Sequence, residues 1–385
     1  MLINKTYKFR LYPNNYQKEI INKTFGCTRL IYNHFLDLKQ KEYELNKTYK
    51  STYDCIKEIP SMYENRPYLK EVDSMTLRSA IFNLDNAYQK MFKEKSGYPK
   101  FKSKFNKNSY RTNMIRSTYK NKVYENIKLD LEKRTINLPK LKEVKIRGYR
   151  NLKTITGRII NATVSREKSG KYYVSVVYEE NINLEKKIPS KIVGLDLGVK
   201  DLVITSDYEK ISNQKIIEKY EKRIKRKQRE LSRKVKGSNN YYKTKQKLSQ
   251  LYQKLKNTRK YIIHNITKKI TDNNDIIVTE TLKIKNMLHN HNLAKKISDA
   301  SLSEIIRQLE YKSKWKQKIF YKIDPYYPSS QICSHCGYQN KIVKNLSIRE
   351  YVCPKCGNRL DRDINAAENI MFEGLKIYMK ELKAI

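Results

Sequence analysis

An α+β chain of several domains is what this sequence predicts, on three observations. Apolar residues recur at helical spacing through two long stretches, around residues 20–92 and 215–270. Short alternating or apolar runs bounded by turn residues cluster at residues 119–178, 192–205 and 275–280. Two Cys-x-x-Cys pairs then precede a last helical segment. A length of 385 residues leaves room for two or three domains of ordinary size.

The elements follow in order. Tyr7-Lys8-Phe9-Arg10-Leu11-Tyr12 alternates and stops at Pro13, a strand ended by a turn. Asn14 or Asn15 offers a helix N-cap, and Ile20, Ile21, Phe25, Leu30, Ile31 and Phe35 continue with helical spacing. Helical character persists, with breaks, to about Phe92. Ser96 to Lys104 is a basic, turn-rich connector. Residues 135–138, 144–146, 160–165 and 172–178 read as strands of a small β-barrel or sheet, and Ser169-Gly170 suits a hairpin turn. Ile192 to Val199 and Leu202 to Thr205 are apolar strands, and Gly237-Ser238-Asn239-Asn240 splits residues 215–270 into two helices. Asp275 to Glu280 is a strand with acidic ends. A helix over 301–318, a strand over 319–323 and a last helix from about Asp363 complete the chain.

The charge balance is extreme. The 82 Lys and Arg exceed the 39 Asp and Glu to give +43. An AT-rich codon bias accounts for 31 Tyr and for Lys-Asn runs, but not for the sign of the imbalance. A protein this positive repels itself and calls for a polyanion, with nucleic acid favoured over membrane or acidic protein. No apolar run approaches a membrane span, and Met1-Leu2-Ile3-Asn4-Lys5 is too mixed for a signal peptide. The expectation is an intracellular protein without a membrane partner. Residues 215–270 carry 20 Lys or Arg against three acidic residues. A solvated helix pair usually mixes signs; this one does not, so a phosphate-facing surface is favoured, with Arg223, Lys227 and Lys234 as candidate contacts.

Six cysteines in a chain of this length do not suggest a disulfide scaffold. Cys27 and Cys55 stand alone and read as buried or incidental thiols. Cys333/Cys336 and Cys353/Cys356 are two pairs, each followed by glycine, Gly337 and Gly357. Two-residue spacing lets one turn present two thiolates to one metal, and glycine permits the positive φ of a tight knuckle. One structural Zn²⁺ is expected, against a redox dithiol as the alternative. With four protein ligands that metal has no open position for catalysis. His335, inside a knuckle, is expected to point outward.

Three acids stand in settings that ask for a counter-charge. Asp196 lies within an apolar strand, where an unpaired carboxylate is costly; a salt-bridged core Asp is the alternative. Glu280 closes a second apolar strand, though strand ends are often solvated. Asp363 opens a helical segment whose Ala366 and Ala367 would let it approach a sheet closely. Carboxylates from two strands and a helix can hold two Mg²⁺ ions for phosphodiester hydrolysis. The sequence contains no G-x-S-x-G elbow and no Walker loop.

These residues resemble a known family. Gly194-Leu195-Asp196-Leu197-Gly198 is similar to the first RuvC motif of TnpB proteins and Thr279-Glu280 to the second. Asp361-Arg362-Asp363-Ile364-Asn365-Ala366-Ala367-Glu368-Asn369-Ile370 is similar to the third, in which the second aspartate is the ligand. Pro328 to Gly337 resembles the entry to the family's zinc ribbon. Tyr7 to Pro13, Phe25 to Arg29 and Gly97 to Lys102 also fit, so the resemblance spans nearly the whole chain.

The resemblance implies an α+β multidomain fold: a first wedge strand (1–13), a helical recognition domain (14–114), a wedge β-barrel (115–190) and an RNase H-like RuvC α/β domain (191–385) with an inserted zinc ribbon (328–360). It implies a Mg²⁺-dependent, RNA-guided DNA endonuclease of an insertion sequence. Asp196, Glu280 and Asp363 would be its catalytic ligands for two Mg²⁺, and Cys333, Cys336, Cys353 and Cys356 would hold one Zn²⁺. A guide RNA from the transposon end would pair with one strand of double-stranded DNA beside a short flanking motif, and one RuvC site would cut both strands. By the same resemblance Arg349, in Leu346-Ser347-Ile348-Arg349, lies near the active site, and Ser74 and Arg78 read the DNA flank; an exposed helix is the plain alternative for those two. One protein copy per RNA, in the bacterial cytoplasm and at the nucleoid when bound to DNA, is the expected state. A nuclease-inactive RNA-guided repressor and a transposase remain as other readings.

Overall fold

The computed structural model describes residues 1–119, 122–148, 157–182, 188–345 and 347–383. The chain forms two compact units, Met1–Asn183 and Leu184–Ile385.

The first unit joins a helical cluster to an antiparallel sheet. Strand β1 (Leu2–Tyr12) begins five residues before the alternation that announces it, because its outer half pairs with β9 (Tyr172–Asn181) from Leu2↔Asn181 to Leu11↔Tyr172. Helix α1 (Asn15–Asn46) is capped by Asn14, whose side chain accepts from Gln17 N while Gln17 Oε1 accepts from Asn14 N. Gln17 Nε2 then donates to the carbonyls of Leu141 and Glu143, at 3.1 and 2.8 Å, fixing the helix to the sheet. Ile21 and Phe25 of α1 join the sheet's core, and Ile31, Phe35 and Leu36 join a second core with α2 (Thr52–Lys57), α3 (Ile59–Asn65) and α4 (Ser74–Glu94).

The sheet runs β2 (Asn108–Asn113), β8 (Arg158–Arg166), β9, β1, β7 (Lys142–Arg147), β6 (Thr135–Leu138), β5 (Lys128–Asp130), all neighbours antiparallel. It is the curled sheet expected as the wedge β-barrel, with β2 and β5 as its edges among the described residues. β3 (Arg116–Tyr119) and β4 (Lys122–Glu125) form a separate hairpin. The sheet starts earlier than the expected residue 115. β2, Asn-Ser-Tyr-Arg-Thr-Asn, is too polar to announce itself, yet it buries Tyr110 and Thr112 on alternate positions.

The second unit is built on five strands in the order β12 (Lys210–Ser212), β11 (Asp201–Thr205), β10 (Ile192–Asp196), β13 (Ile276–Thr279), β14 (Ile319–Lys322). β10, β13 and β14 are parallel, and β11 runs antiparallel to β10 and β12 to β11, which is the RNase H-like arrangement. Side chains alternate across the sheet. Val193, Leu195 and Ile277 pack on one face against α6 (Asn239–Asn273) and α9 (Leu302–Trp315) through Ile263, Ile266, Ile305 and Leu309. Ile276 and Val278 face the other way, with Ile370 of α10 (Arg362–Lys383). Helix α5 (Ile216–Ser232) pairs with α6, and α7 (Ile284–Met287) and α8 (His291–Ala300) precede α9. β15 (Glu350–Val352) and β16 (Arg359–Asp361) pair within the ribbon. Among the described residues no helix is long and apolar enough to cross a membrane.

Helix α10 lies against the sheet at backbone distance. A Cβ on Gly194 would sit 2.1 Å from the Ala367 carbonyl oxygen, and one on Gly374 would sit 2.3 Å from Val278 Cγ2. Glycine at both points, with buried Ala366 and Ala367, is what allows the approach.

Candidate active site and zinc ribbon

β10 and β13 are parallel neighbours with Leu195 opposite Thr279. The next residues, Asp196 and Glu280, therefore emerge side by side at the carboxyl ends of the strands, where open α/β sheets place their ligands. Asp196 is the last residue of its strand, not an interior one; Leu197 to Val199 already leave the sheet. Its carboxyl neighbours that of Glu280, each one residue beyond the Leu195–Thr279 pair. Burial, then Glu280, then the charge of Asp363 push the Asp196 carboxyl well above the usual carboxylate range, while Arg362 pulls the other way.

Asp363 comes from the first turn of α10. The two aspartates of Asp361-Arg362-Asp363 have separate tasks. Asp361 Oδ1 accepts from the backbone N–H of Asp363 and Ile364, at 3.1 and 3.2 Å, and so caps the helix. Its other oxygen takes Lys210 Nζ at 2.6 Å. Asp363 is close enough for its charge to act on Asp196, and its oxygens lie 3.5 Å from Arg362 Nη2 and 3.8 Å from Arg349 Nη1. The structure thus brings Asp196, Glu280 and Asp363 to one end of one sheet, with two guanidinium groups beside the third acid. Carboxylate oxygens are the donor type Mg²⁺ takes, but among the described residues only the four cysteines have all their ligand atoms within 4.8 Å of one another, so the three acids are not closed around an ion as they stand.

The four cysteines form two matching knuckles. Gly337 N donates to Cys333 O and Gly357 N to Cys353 O, each at 2.9 Å, with φ of 73° and 71° at the two glycines. Cys333 N and Cys353 N donate to Tyr338 O and Asn358 O, again at 2.9 Å. All four Sγ atoms lie within 4.8 Å of one another. The pairs Cys333–Cys356 and Cys336–Cys353 are 3.7 and 3.5 Å apart. Zinc–thiolate bonds of about 2.3 Å at tetrahedral angles require about 3.8 Å, so the donor set fits Zn²⁺. Burial raises the Cys353 thiol, but the backbone N–H groups of Cys356 and Lys355 outweigh it and pull the thiol down to about 6. Tyr351, fully buried, ties the ribbon together by donating to Gln331 O and Tyr338 O. His335 is exposed, as expected.

The other candidate residues are dispersed. Arg223 is exposed on α5, while Lys227 is half-buried and paired with Glu230 at 2.5 Å. Lys234 lies in the turn beyond the end of α5 rather than on the helix. Ser74 and Arg78 are at the start of α4, in the first unit. Leu346, in the stretch that leads to Arg349, lies outside the described residues.

Three family models match: a probable transposase family over residues 175–291, a Cas12f1-like TNB domain over 303–370 and a helix-turn-helix domain over 1–48. The last segment folds here as one strand and one long helix. A Streptomyces pristinaespiralis protein named "Putative RNA-guided DNA endonuclease" is 32% identical over 97% of this chain and 90% of its own length. InsQ of Escherichia coli K12, named in the same words, is 30% identical over 96% of this chain and 92% of its own. The chain belongs to the TnpB family. Among solved structures, a mini RNA-guided endonuclease of the CRISPR-Cas phi type is similar over 97% of this chain and 92% of its own, at 11% identity and a TM-score of 0.45.

In this TnpB chain, sequence reasoning misses Arg362, Asn365 and Asn369 as participants. All three are buried and polar on the helix that carries Asp363. Polar side chains at core positions of an otherwise apolar helix face are the available signal.

Proposed function

We propose that the chain is an RNA-guided DNA endonuclease of an insertion sequence. Its guide is a transposon-derived RNA, its substrate double-stranded DNA, and its chemistry two-metal phosphodiester hydrolysis at Asp196, Glu280 and Asp363. One observation carries this reading: two carboxylates from adjacent parallel strands meet at Asp196 and Glu280, with a third acid beside them, in a chain of net charge +43. Gathering three acids at one end of the sheet, with Arg349 and Arg362 beside only one of them, suits a site that holds cations against a phosphate.

Mg²⁺ held there would activate the attacking water and stabilise the leaving oxygen. The chain's own residues do the rest. Asp196 and Glu280, fixed on strands, supply oxygens whose spacing the sheet determines. Asp361 caps α10 so that Asp363 is presented in a set direction. Arg349, at 3.8 Å from Asp363 and largely exposed, would meet the phosphate charge. The ribbon, whose four thiolates would be saturated by one Zn²⁺, is structural. The basic face of α5 and α6 and the curled sheet of the first unit, the wedge, would hold the RNA and its heteroduplex by shape and charge, leaving sequence choice to base pairing. Residues 14–114 would serve as the recognition domain, with Ser74 and Arg78 toward the DNA flank.

The deciding experiment incubates the protein with its co-purifying RNA and matching duplex DNA in Mg²⁺. Guide-dependent double-strand cleavage, lost in Asp196→Ala while guide-dependent DNA binding persists, is the expected result. Normal cleavage by Asp196→Ala overturns the site, and strand-transfer products formed without RNA overturn the reaction.

A further inference from the structure

We propose that Arg362, assisted by Asn365 and Asn369, is a positioning residue that couples the state of the zinc ribbon to divalent-metal binding at the acidic site. The inference rests on the nuclease reading above and adds a dependence between its two metal sites.

Both ends of the ribbon are fastened to one face of α10, the helix that carries Asp363. At the entry, Asn369 Nδ2 donates to the carbonyls of Ser329 and Ile332, at 2.9 and 2.6 Å. Asn365 Nδ2 donates to Ile332 O at 2.7 Å while its Oδ1 accepts from Ser334 N at 2.9 Å. Ile332 and Ser334 are the residues either side of Cys333. At the far loop, Arg362 Nη1 donates to Asn345 O at 3.1 Å and Arg362 N to Arg349 O at 2.8 Å. The same guanidinium places Nη2 3.5 Å from Asp363 Oδ1, and its Nε has no hydrogen-bond partner. Arg362 therefore stands between a ribbon carbonyl and a ligand of the acidic site. With the ribbon folded it is 6% exposed, Asn365 0% and Asn369 3%, so in that state ribbon carbonyls and not water satisfy them.

The ribbon cannot hold those carbonyls in place by packing alone. Its core is Cys333, Val343, Tyr351 and Cys353, and two of those four are metal ligands. Cores this small depend on their metal for folding. When the thiolates are untied, the backbone at 329–334, at Asn345 and at Arg349 loses its fixed position. Two amides and a guanidinium then lose together the fixed acceptors that orient them, which loosens the first turn of α10. Asp363 is on that turn. Coupling of this kind is reciprocal, so divalent ions at the acids also favour the folded ribbon.

The test measures Mn²⁺ binding to the full-length protein by electron paramagnetic resonance, with zinc content read in parallel. Arg362→Gln should weaken Mn²⁺ about tenfold or more, the usual effect of removing a group that orients a metal ligand. Arg362→Lys keeps the charge beside Asp363 but not the planar fork, and should bind as poorly as Arg362→Gln. Asn345→Ala is a surface change that disturbs the turn presenting the Asn345 carbonyl, where Asn345 Oδ1 accepts from Ser347 N and Oγ. It should weaken Mn²⁺ severalfold at full zinc occupancy, and it decides the matter if the Arg362 variants do not fold. Removing zinc with a chelator should lower Mn²⁺ affinity in wild type. Asp196→Asn should abolish specific Mn²⁺ binding; if wild type and Asp196→Asn bind alike, the nuclease reading falls and this inference with it. If Asp196→Asn loses Mn²⁺ but Asn345→Ala and the folded Arg362 variants stay within twofold of wild type, only the coupling falls. Wild-type affinity in Arg362→Lys also overturns it, because charge alone would then suffice.

Discussion

Asp196 and Glu280 stand side by side at the carboxyl ends of two parallel strands, each one residue beyond the Leu195–Thr279 pair. Burial, then the neighbouring Glu280, hold the Asp196 carboxyl above the usual carboxylate range. The folded protein therefore carries a stored penalty at neutral pH, and the penalty is located at the site proposed for catalysis.

Asp196→Asn should stabilise the metal-free protein while destroying cleavage. The Asp196 carboxyl is held above its unfolded value, mainly by burial, so ionisation favours the unfolded state. That cost is absent below the unfolded value and develops as pH rises through and past it. At pH 8 the variant should melt higher by a few degrees, of the order of 1 kcal/mol, with the difference vanishing near pH 3. Calorimetry at the two pH values checks this, and a lower melting temperature at pH 8 contradicts it.

Divalent ions should reverse that ranking. Mg²⁺ or Mn²⁺ at about a hundred times its dissociation constant adds about 2.7 kcal/mol to a protein with one intact site. A thermal-shift titration should raise the melting temperature of wild type and leave Asp196→Asn unchanged. Equal shifts would place the ion elsewhere.

Zinc should be present at one per chain and should be lost on acidification. Thiolates, not thiols, bind the metal. Without metal the four thiols are unequal. Cys353 is pulled down to about 6, while Cys356, against the Asn358 backbone hydrogen bond that lowers it, is pushed up to about 12 by burial and then by its neighbouring thiols. Elemental analysis after dialysis should find full occupancy at pH 8, less at pH 5, and none in Cys353→Ser. Occupancy retained in that variant would exclude the four-thiolate site.

Asp275→Asn should destabilise the second unit without touching the acids. Lys318 Nζ pairs with the Asp275 carboxylate, and Ser190 N, Ser190 Oγ and Lys191 N donate to it at 3.0, 2.8 and 3.2 Å. Lys318 first, then the Ser190 backbone, hold this carboxyl below the usual range. Its contribution is complete above the unfolded value and fades as pH falls through the depressed one. A loss of about 1–2 kcal/mol at pH 7, shrinking below pH 4, is expected in urea titrations; a constant difference across pH would contradict the sign.

Arg223→Glu with Lys234→Glu should weaken RNA binding at low salt and flatten its salt dependence, since every phosphate left without its cationic partner makes the slope shallower. Filter binding at several salt concentrations measures both. An unchanged slope removes α5 and its following turn from the interface. Lys227 is left out because Glu230 already occupies it.

How much of this is legible in the sequence depends on what kind of signal each element sends. β10, β13, α5, α6 and α9 are readable because apolar residues recur at the period of the element wherever it meets a core. β2 and the hairpin of β3 and β4 are not, because Asn108–Asn113 and Arg116–Tyr119 are polar strands whose partners, not their composition, hold them extended. Asp196, Glu280 and Asp363 can be named from their apolar settings. The adjacency of Asp196 and Glu280 cannot, because it depends on register between strands distant in the chain. Nor can the capping role of Asp361, which depends on where α10 begins. Lys234 falls outside its expected helix because charge runs carry no stop signal; the helix ends at Ser232.

Close seating of α10 on β10, through Gly194 and Ala367, has a consequence for the order in which the protein becomes dangerous. Its strands bearing Asp196 and Glu280 leave the ribosome well before the helix bearing Asp363. A nascent chain, or one cut short by a frameshift or stalled translation, displays two thirds of the triad and no more. On the role proposed for these three acids, hydrolytic competence would arrive in a single late step, after the residues proposed to hold RNA have been made.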